Sequence, residues 1–225
     1  MGDLIDTTEM YLKTILEMEE DGVTPLRARI VERLDHSGPT VSQTVARMER
    51  DGLLHVLGDR RLELTEEGRR QAIDVLKKHR LAERLLVDGI GLDWELAHDE
   101  ACRWEHVMSD RVQARLVALL SDPETDPYGN AIPGTGEPVR GESVEVAVRT
   151  RLGQELELVR IGEPLQADAE IIADFSSAGL RPGAELLLED EGDFVRLRPL
   201  DASGAPGPGF RIPLNLAAHL FVRPL

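Results

Sequence analysis

Metal-ligating residue types recur at one-turn helical spacings between positions 79 and 106, and this pattern constrains the fold more than any other feature of the sequence. His79 and Glu83 are four residues apart, and His98 is followed at the same spacing by Cys102 and then by His106. Residues three or four apart lie on one face of a helix, so each group predicts a helix with a stripe of ligands. Two such helices, packed face to face, could share a metal ion.

The chemistry of this stretch favours a transition metal. Its 28 residues contain three of the six histidines and the single cysteine of the chain. A thiolate beside imidazoles and carboxylates, Glu105 among them, argues against Mg²⁺ and Ca²⁺ and leaves Fe²⁺, Mn²⁺, Co²⁺, Ni²⁺ and Zn²⁺ open. Each histidine alone is more often an ordinary core or surface residue, and a lone cysteine is often an inert thiol. Their joint occurrence favours a metal site.

The sequence before this stretch predicts a winged helix-turn-helix. Helical periodicity and capping signals predict helices over residues 4–20, 26–34 and 40–51, with Asp3 or Asp6 as the first N-cap and a tight turn at Ser37 to Pro39. Apolar runs at 53–57 and 62–64 flank a polar turn and predict the wing. Further helices are predicted over 66–87, 92–110 and 111–120.

The third helix is the predicted DNA-reading element, because a helix-turn-helix lays its second helix in the major groove. Gln43 suits a bidentate contact with adenine, while Pro39 and the Thr40 methyl suit thymine methyl groups. The net charge of −16 argues against uniform nucleic-acid binding, yet residues 25–61 carry seven arginines against five acids. The alternative is a capped and solvated helix face. The predicted DNA contacts are Arg27, Ala28, Ser37, Pro39, Thr40, Ser42, Gln43, Thr44, Arg47, Arg50 and Arg60.

The second half of the chain predicts a different architecture. Residues 121–142 are rich in proline and glycine without periodicity and predict a linker. Strands are predicted over 144–148, 156–159, 185–188 and 194–197, and a short helix and strand over 212–219. We therefore expect a mainly α N-terminal winged helix-turn-helix domain (1–73), a helical metal-binding and dimerisation domain (74–140), and a small all-β domain (143–225). No membrane span or signal peptide is predicted, and the lone cysteine fits a reducing cytoplasm.

Five blocks of this sequence resemble the diphtheria toxin repressor and iron-dependent regulator (DtxR/IdeR) family of actinobacteria: Asp6–Leu12, Thr24–Arg29, Ser37–Leu53, Lys78–Leu86 and His98–Asp110. The resemblance is close over residues 1 to about 133 and looser over 143–225, where it implies an SH3-like domain. It implies an Fe²⁺-activated repressor of iron-uptake and iron-homeostasis genes. It further implies that homodimers bind an inverted-repeat operator in double-stranded DNA, one dimer or two per operator.

The resemblance also implies two metal sites per subunit, in which Mn²⁺, Co²⁺, Ni²⁺ or Zn²⁺ can replace Fe²⁺ in vitro. The ligands implied for the regulatory site are Met10, Cys102, Glu105 and His106. Those implied for the ancillary site are His79, Glu83, His98, Glu163 and Gln166. An anion site beside the ancillary metal would use Arg80, position 126 and Asn130. Asp126 stands there in place of a serine, and its acid is expected to repel an anion.

Two other functions are considered. A manganese regulator would keep the DNA-binding element, but the resemblance to the iron branch includes Cys102 and the SH3-like domain, which the manganese branch generally lacks. A zinc hydrolase would use the same ligands with a carboxylate as general base. No His-Glu-x-x-His motif is present, and the predicted recognition helix would be unexplained. The sequence therefore indicates a regulator and not an enzyme.

Overall fold

A computed structural model describes residues 6–135 and 140–225 of the chain. Its helices are α1 (Thr7–Glu20), α2 (Arg27–Leu34), α3 (Gly38–Arg50), α4 (Glu66–Arg84), α5 (Trp94–Trp104), α6 (Asp110–Leu119), α7 (Val144–Thr150), α8 (Glu163–Gln166), α9 (Ala169–Ala178) and α10 (Leu214–Ala217). Its strands are β1 (Leu54–Val56), β2 (Leu62–Leu64), β3 (Glu142–Ser143), β4 (Leu156–Ile161), β5 (Glu185–Asp190), β6 (Phe194–Pro199), β7 (Phe210–Pro213) and β8 (Leu220–Pro224). In the described part of the chain, no helix combines the length and the apolar character that a membrane crossing requires.

The predicted winged helix-turn-helix is confirmed. The side chain of Asp6 accepts hydrogen bonds from the first turn of α1, whereas Asp3, the other predicted cap, lies outside the described residues. Ser37 caps α3, and β1 and β2 pair as an antiparallel hairpin. One apolar core joins these elements, because α1, α2, α3, both strands and the start of α4 bury side chains against each other. The recognition helix is thus held on a packed support.

The helical region after the wing also follows the sequence, with two differences. α4 runs through position 73, the predicted domain boundary, so one continuous helix joins the DNA-binding part to the metal-binding part. It ends at Arg84 and continues as a π-helical turn, Leu85–Ile90, which Gly91 stops in the left-handed conformation. Residues 92–110 form the shorter helix α5, because Ser109 caps α6 and starts a new helix there.

The prediction of a linker over 121–142 is wrong for its first part. Tyr128 and Ile132 are fully buried, and the Tyr128 hydroxyl donates to the Trp94 carbonyl oxygen at 2.7 Å while its ring stacks on Trp94. Residues 136–139 lie outside the described part. Proline and glycine permit tight turns in this segment, and the buried side chains of Tyr128 and Ile132 hold these turns in place. Residues 121–135 therefore pack between the helices and the C-terminal domain.

The C-terminal domain is a six-stranded antiparallel sheet with the strand order β3-β8-β4-β5-β6-β7. The predicted strands at 156–159, 185–188 and 194–197 are confirmed. The predicted strand over 144–148 is wrong, because these residues form helix α7. Val144, Ala147 and Val148 are buried at i, i+3 and i+4, which is the spacing of a helix face. Helices α8 and α9 were not predicted.

Arg160 of β4 fastens this sheet to the rest of the molecule. Its guanidinium donates to Asp21 Oδ1 at 2.7 Å, just beyond the end of α1, and to Asn130 Oδ1 at 3.3 Å. It also stacks over the Phe221 ring. The arginine is buried, so these charge-assisted contacts are shielded from solvent. The DNA-binding part, residues 121–135 and the sheet therefore meet at one side chain.

Candidate metal centre

The sequence-predicted metal ligands lie in the region where α1, α4, α5 and α8 meet. α4 carries His79 and Glu83 one turn apart, and α5 carries His98 and Cys102 at the same spacing. α8 carries Glu163 and Gln166, the two ligands that the resemblance implied from the sheet domain. The Arg160 contact described above places β4, which α8 follows, against the helical region. The centre is therefore built by both halves of the chain.

Four of the predicted ancillary ligands form a tight cluster. His79, Glu83, His98 and Glu163 each place one donor atom within 4.8 Å of the others. His98 Nδ1 lies 3.1 Å from Glu83 Oε1 and 3.4 Å from Glu163 Oε2. His79 Nε2 lies 2.9 Å from Glu83 Oε1. All four residues are buried. Two imidazoles and two carboxylates in this arrangement suit a divalent transition metal.

Several buried polar atoms of this cluster have no hydrogen-bond partner among the described residues. They are Glu83 Oε2, both carboxylate oxygens of Glu163, and Gln166 Oε1, while His79 Nε2 contacts Glu83 Oε1 at 2.9 Å without the geometry of a hydrogen bond. The Gln166 amide nitrogen donates to the Ile161 carbonyl oxygen at 2.7 Å, so its oxygen remains free. An unsatisfied buried polar atom costs about 1–3 kcal/mol, and more when charged. A cation bound by these atoms would satisfy them, so the residues fit a metal ion.

The predicted regulatory ligands line one cleft of about 910 Å³: Met10, Cys102, Glu105 and His106. Within the described residues, they are not gathered around one point. His106 Nε2 lies 3.3 Å from Glu105 Oε1, and its Nδ1 is paired with Glu9 Oε2 at 2.7 Å. Cys102 Sγ lies closer to the other set, 3.6 Å from His98 Nε2. These ligands would have to move together to hold one ion.

A lysine that the sequence did not single out lies between the two ligand sets. Lys13 Nζ is 2.8 Å from Glu105 Oε2, 3.8 Å from Cys102 Sγ and 3.3 Å from His79 Nδ1. His79 Nδ1 itself lies 2.6 Å from the same Glu105 oxygen. The one available signal was that Lys13 follows Met10 by three residues and so shares its helix face. Lysine is rarely buried, so the sequence alone gives no reason to place this one among the ligands.

The charges at this centre favour the deprotonated forms of Cys102 and Glu105, which are the forms that bind a metal. Burial alone would raise the pKa of the Cys102 thiol, but Lys13 and His98 lower this pKa to about 5. Burial would also raise the pKa of Glu105, yet Lys13 and His79 lower it to about 2. Burial would lower the pKa of His79, but the Glu83 carboxylate and other acids hold it well above its usual value. The lowered pKa of Cys102 favours its thiolate form at neutral pH, and the raised pKa of His79 means that a metal would compete with a proton there.

Asp126 lies among the side chains of the anion site that the resemblance implied. Its Oδ2 accepts from Asn130 Nδ2 at 2.9 Å and lies 3.7 Å from Arg80 Nε. Its Oδ1 accepts from the Tyr128 backbone N–H at 2.7 Å. Burial and the nearby Glu83 carboxylate raise the pKa of Asp126 to about 7. Arg80 and Asn130, the two other predicted anion contacts, thus already face a carboxyl group of this chain.

Of the eleven predicted DNA contacts, nine are exposed, one is half-buried and one is buried. The exposed residues are Ala28, Ser37, Pro39, Thr40, Ser42, Gln43, Arg47, Arg50 and Arg60, and Arg27 is half-buried. The prediction for Thr44 is wrong, because Thr44 is only 9% exposed. It lies on the core side of α3 with Val41, Val45 and Met48. Position 44 is one residue past Gln43, which rotates its side chain about 100° around the helix.

Comparison with known proteins gives consistent matches. Residues 3–62 match the family model described as the N-terminal DNA binding domain of iron dependent repressors. Residues 65–134 match the model of their metal binding and dimerisation domain. The iron-dependent repressor IdeR of Mycobacterium tuberculosis is 58% identical over 198 residues, covering 84% of this chain and 86% of that protein. The diphtheria toxin repressor of Corynebacterium glutamicum is 56% identical over 203 residues, covering 87% and 89%.

Solved structures with the same fold include a manganese-dependent transcriptional repressor in complex with manganese. It is 28% identical, has a TM-score of 0.83, and covers 97% of this chain and 100% of its own. The crystal structure of IdeR from T. acidophilum is 25% identical with a TM-score of 0.75 and covers 98% of both chains. The match therefore extends over the helical region and the sheet domain together.

Proposed function

Because the chain belongs to the iron-dependent repressor family, whose members are transcriptional repressors and not enzymes, we propose that Fe²⁺ activates it as a dimeric repressor. As such it would bind an inverted-repeat operator and control iron-uptake and iron-homeostasis genes. The observation that carries this proposal is the buried ligand cluster shared by the helical region and the sheet domain. A metal ion bound there would join α4, which packs in the same core as α3, to α5 and to α8 of the sheet domain.

Two ligand sets would hold the metal. The ancillary ion would be held by His79, Glu83, His98, Glu163 and Gln166, and the regulatory ion by Met10, Cys102, Glu105 and His106. The metal supplies positive charge that neutralises and joins these acids and the thiolate. His106 would be oriented by Glu9, since a carboxylate on Nδ1 leaves Nε2 free to bind a metal.

The thiolate favours iron over manganese. The pKa of Cys102 is lowered to about 5, so a charged sulfur ligand is available at neutral pH. Thiolates suit softer metals, whereas Mn²⁺ prefers oxygen ligands. The curated relatives with 56–58% identity carry iron-dependent or diphtheria toxin repressor names. We therefore propose Fe²⁺ as the physiological metal, with Mn²⁺, Co²⁺, Ni²⁺ and Zn²⁺ able to replace it in vitro.

Dimerisation would use residues 86–120. This stretch carries five large exposed apolar side chains: Ile90, Leu96, Val107, Val112 and Leu119. Exposed apolar side chains of this size, in the region that matches a dimerisation domain, fit a surface covered by a second copy. Two recognition helices related by a twofold axis match the halves of an inverted repeat. One or two such dimers would occupy each operator.

Anaerobic binding to a labelled inverted-repeat DNA, with and without Fe²⁺ at one salt concentration, tests the proposed function. We expect binding only with Fe²⁺ and reversal by a chelator. Addition of Mg²⁺ in place of Fe²⁺ serves as the control and should give no binding, because Mg²⁺ avoids thiolate and imidazole ligands. Equal binding by the metal-stripped protein would contradict the proposal.

Two substitutions distinguish the contacts that read bases from the contacts that bind phosphates. Gln43→Ala is expected to reduce discrimination at one base pair by about 1–3 kcal/mol, because a base-edge contact is lost. Arg60→Ala should weaken binding to all sequences alike and lower the salt slope by about 0.9, because one phosphate contact is lost. Binding to an operator library at several salt concentrations measures both effects. An unchanged base preference in Gln43→Ala would show that Gln43 does not contact a base edge.

A further inference from the structure

Among the described residues, Lys13 is a buried cation that contacts ligands of both proposed metal sites, and the proposed function gives it no role. Its side chain is 7% exposed and that of its partner Glu105 is 1% exposed. A lysine ammonium carries three donors and no lone pair, so it cannot be a metal ligand. Burying it is unfavourable unless acids surround it. Here the ammonium group contacts Glu105 and Cys102, two of the ligands proposed for the regulatory metal.

A metal ion and this ammonium would compete for the same atoms. Glu105 Oε2 already accepts from Lys13 Nζ at 2.8 Å, and the Cys102 sulfur lies 3.8 Å from that nitrogen. A divalent cation bound to the same oxygen would lie within a few ångströms of a like charge and would be repelled by it. The two cations therefore exclude each other at this place.

The structure also offers the ammonium another acceptor. Glu17 follows Lys13 by four residues, so it lies on the same face of α1. Its carboxyl group is buried; Oε2 lies 3.6 Å from Arg33 Nη1, and Oε1 has no hydrogen-bond partner among the residues described. Both side chains line the cleft of about 910 Å³, which leaves room for the lysine to swing. A buried acceptor without a partner is the place to which a displaced ammonium would move.

We propose that Lys13 is an internal competitor of the metal, whose ammonium holds Glu105 and Cys102 and must swing toward Glu17 before a divalent cation can take these ligands. This inference rests on the proposed metal-binding function. Lys13 then sets the metal concentration at which the protein responds. Because Lys13 Nζ also lies 3.3 Å from His79, its charge opposes both metal sites, and its withdrawal for one ion favours the other.

Lys13→Met tests this role, because it keeps the length of the side chain and removes the charge. Lys78→Met is the matched control: Lys78 is also largely buried and ion-paired, but its partners are Asp74 and Asp110, outside the ligand sets. Co²⁺ binding to the metal-stripped full chain is measured by calorimetry and by the thiolate-to-cobalt absorption band, which reports on Cys102. We expect Lys13→Met to bind Co²⁺ at least about tenfold more tightly, and Lys78→Met to bind like the unaltered protein.

The outcomes separate this proposal from the function on which it rests. If the unaltered protein and Lys13→Met bind Co²⁺ with equal affinity, the metal site stands and the role of Lys13 is overturned. If neither binds Co²⁺, the proposed metal function fails, and this inference fails with it. A lysine with a merely structural role would lower the melting temperature of the stripped protein without changing Co²⁺ affinity, which would also overturn the proposal. Should Lys13→Met not fold, Lys13→Gln, which keeps one donor but no charge, replaces it in the same titration.

Discussion

Cys102→Ala is expected to abolish metal-stimulated operator binding while leaving the fold intact. The variant removes the one thiolate of the centre, whose pKa of about 5 makes it a charged ligand at neutral pH. Structural zinc sites with four protein ligands bind their metal with about 10–16 kcal/mol, so by analogy the loss of one of four ligands should weaken the affinity about 100-fold or more. Its half-buried position lets alanine fit without a large cavity. Titration of operator binding against Fe²⁺ measures the effect.

The matched control is Asp99→Ala, which removes an exposed acid from the same helix and cleft but outside the ligand sets. It should bind the operator with the metal response of the unaltered protein. His106→Ala should behave like Cys102→Ala, because both belong to the proposed regulatory site. Circular dichroism melting of the stripped proteins verifies the fold. Full operator binding by Cys102→Ala without metal would exclude Cys102 from the switch.

Gly129→Ala is expected to destabilise the protein by about 2–5 kcal/mol. Gly129 has a φ of +88°, and a Cβ there would overlap the Val159 carbonyl oxygen of β4. A left-handed backbone costs a residue with a side chain about 1–2 kcal/mol, and forced overlap with a packed backbone adds about 1–3 kcal/mol. The next residue, Asn130, contacts Arg160, so the variant should also loosen the attachment of the sheet. Urea unfolding measures the loss of stability.

Gly183→Ala separates the two contributions. Gly183 has a φ of +91°, but a Cβ there would meet no atom within 4 Å. The Gly183→Ala variant should be destabilised only by the cost of a left-handed backbone at alanine, about 1–2 kcal/mol. Metal affinity should fall in Gly129→Ala alone, because Glu163 reaches the cluster only while the sheet stays attached. Equal losses of stability in the two variants would show that the contact with Val159 is unimportant.

Local sequence patterns correctly predicted the turns and secondary-structure elements that are determined by interactions between residues close together in the chain. The turn at Ser37 to Pro39 and the hairpin of β1 and β2 lie within two residues of their predicted bounds, because capping residues and apolar alternation define them. Residues 144–148 were assigned wrongly because Val-Glu-Val-Ala-Val alternates like a strand. Only the packing of Val144, Ala147 and Val148 against the sheet selected the helix. Tertiary contacts decided the element there.

The same division holds for the site. Spacing along the chain was enough to predict His79, Glu83, His98 and Cys102 as members of one centre, because each helix presents its own stripe. The partners from α8 came only from the family resemblance. Lys13 could not be predicted, because whether a lysine is buried depends on which acids from other helices surround it. Glu105 and Cys102 are about ninety residues away along the chain.

The geometry of α1 has a consequence for how this protein could be recombined with others. This helix contributes Lys13 and the proposed ligand Met10 near its start, and Asp21, just past its end, receives Arg160 from the sheet. Its middle is buried in the winged-domain core. Under the proposed function, α1 is thus part of the metal-responsive site although it belongs to the DNA-binding domain. The unit that could be exchanged to change operator choice, while keeping the response to metal, is therefore residues 27–64 and not the whole N-terminal domain.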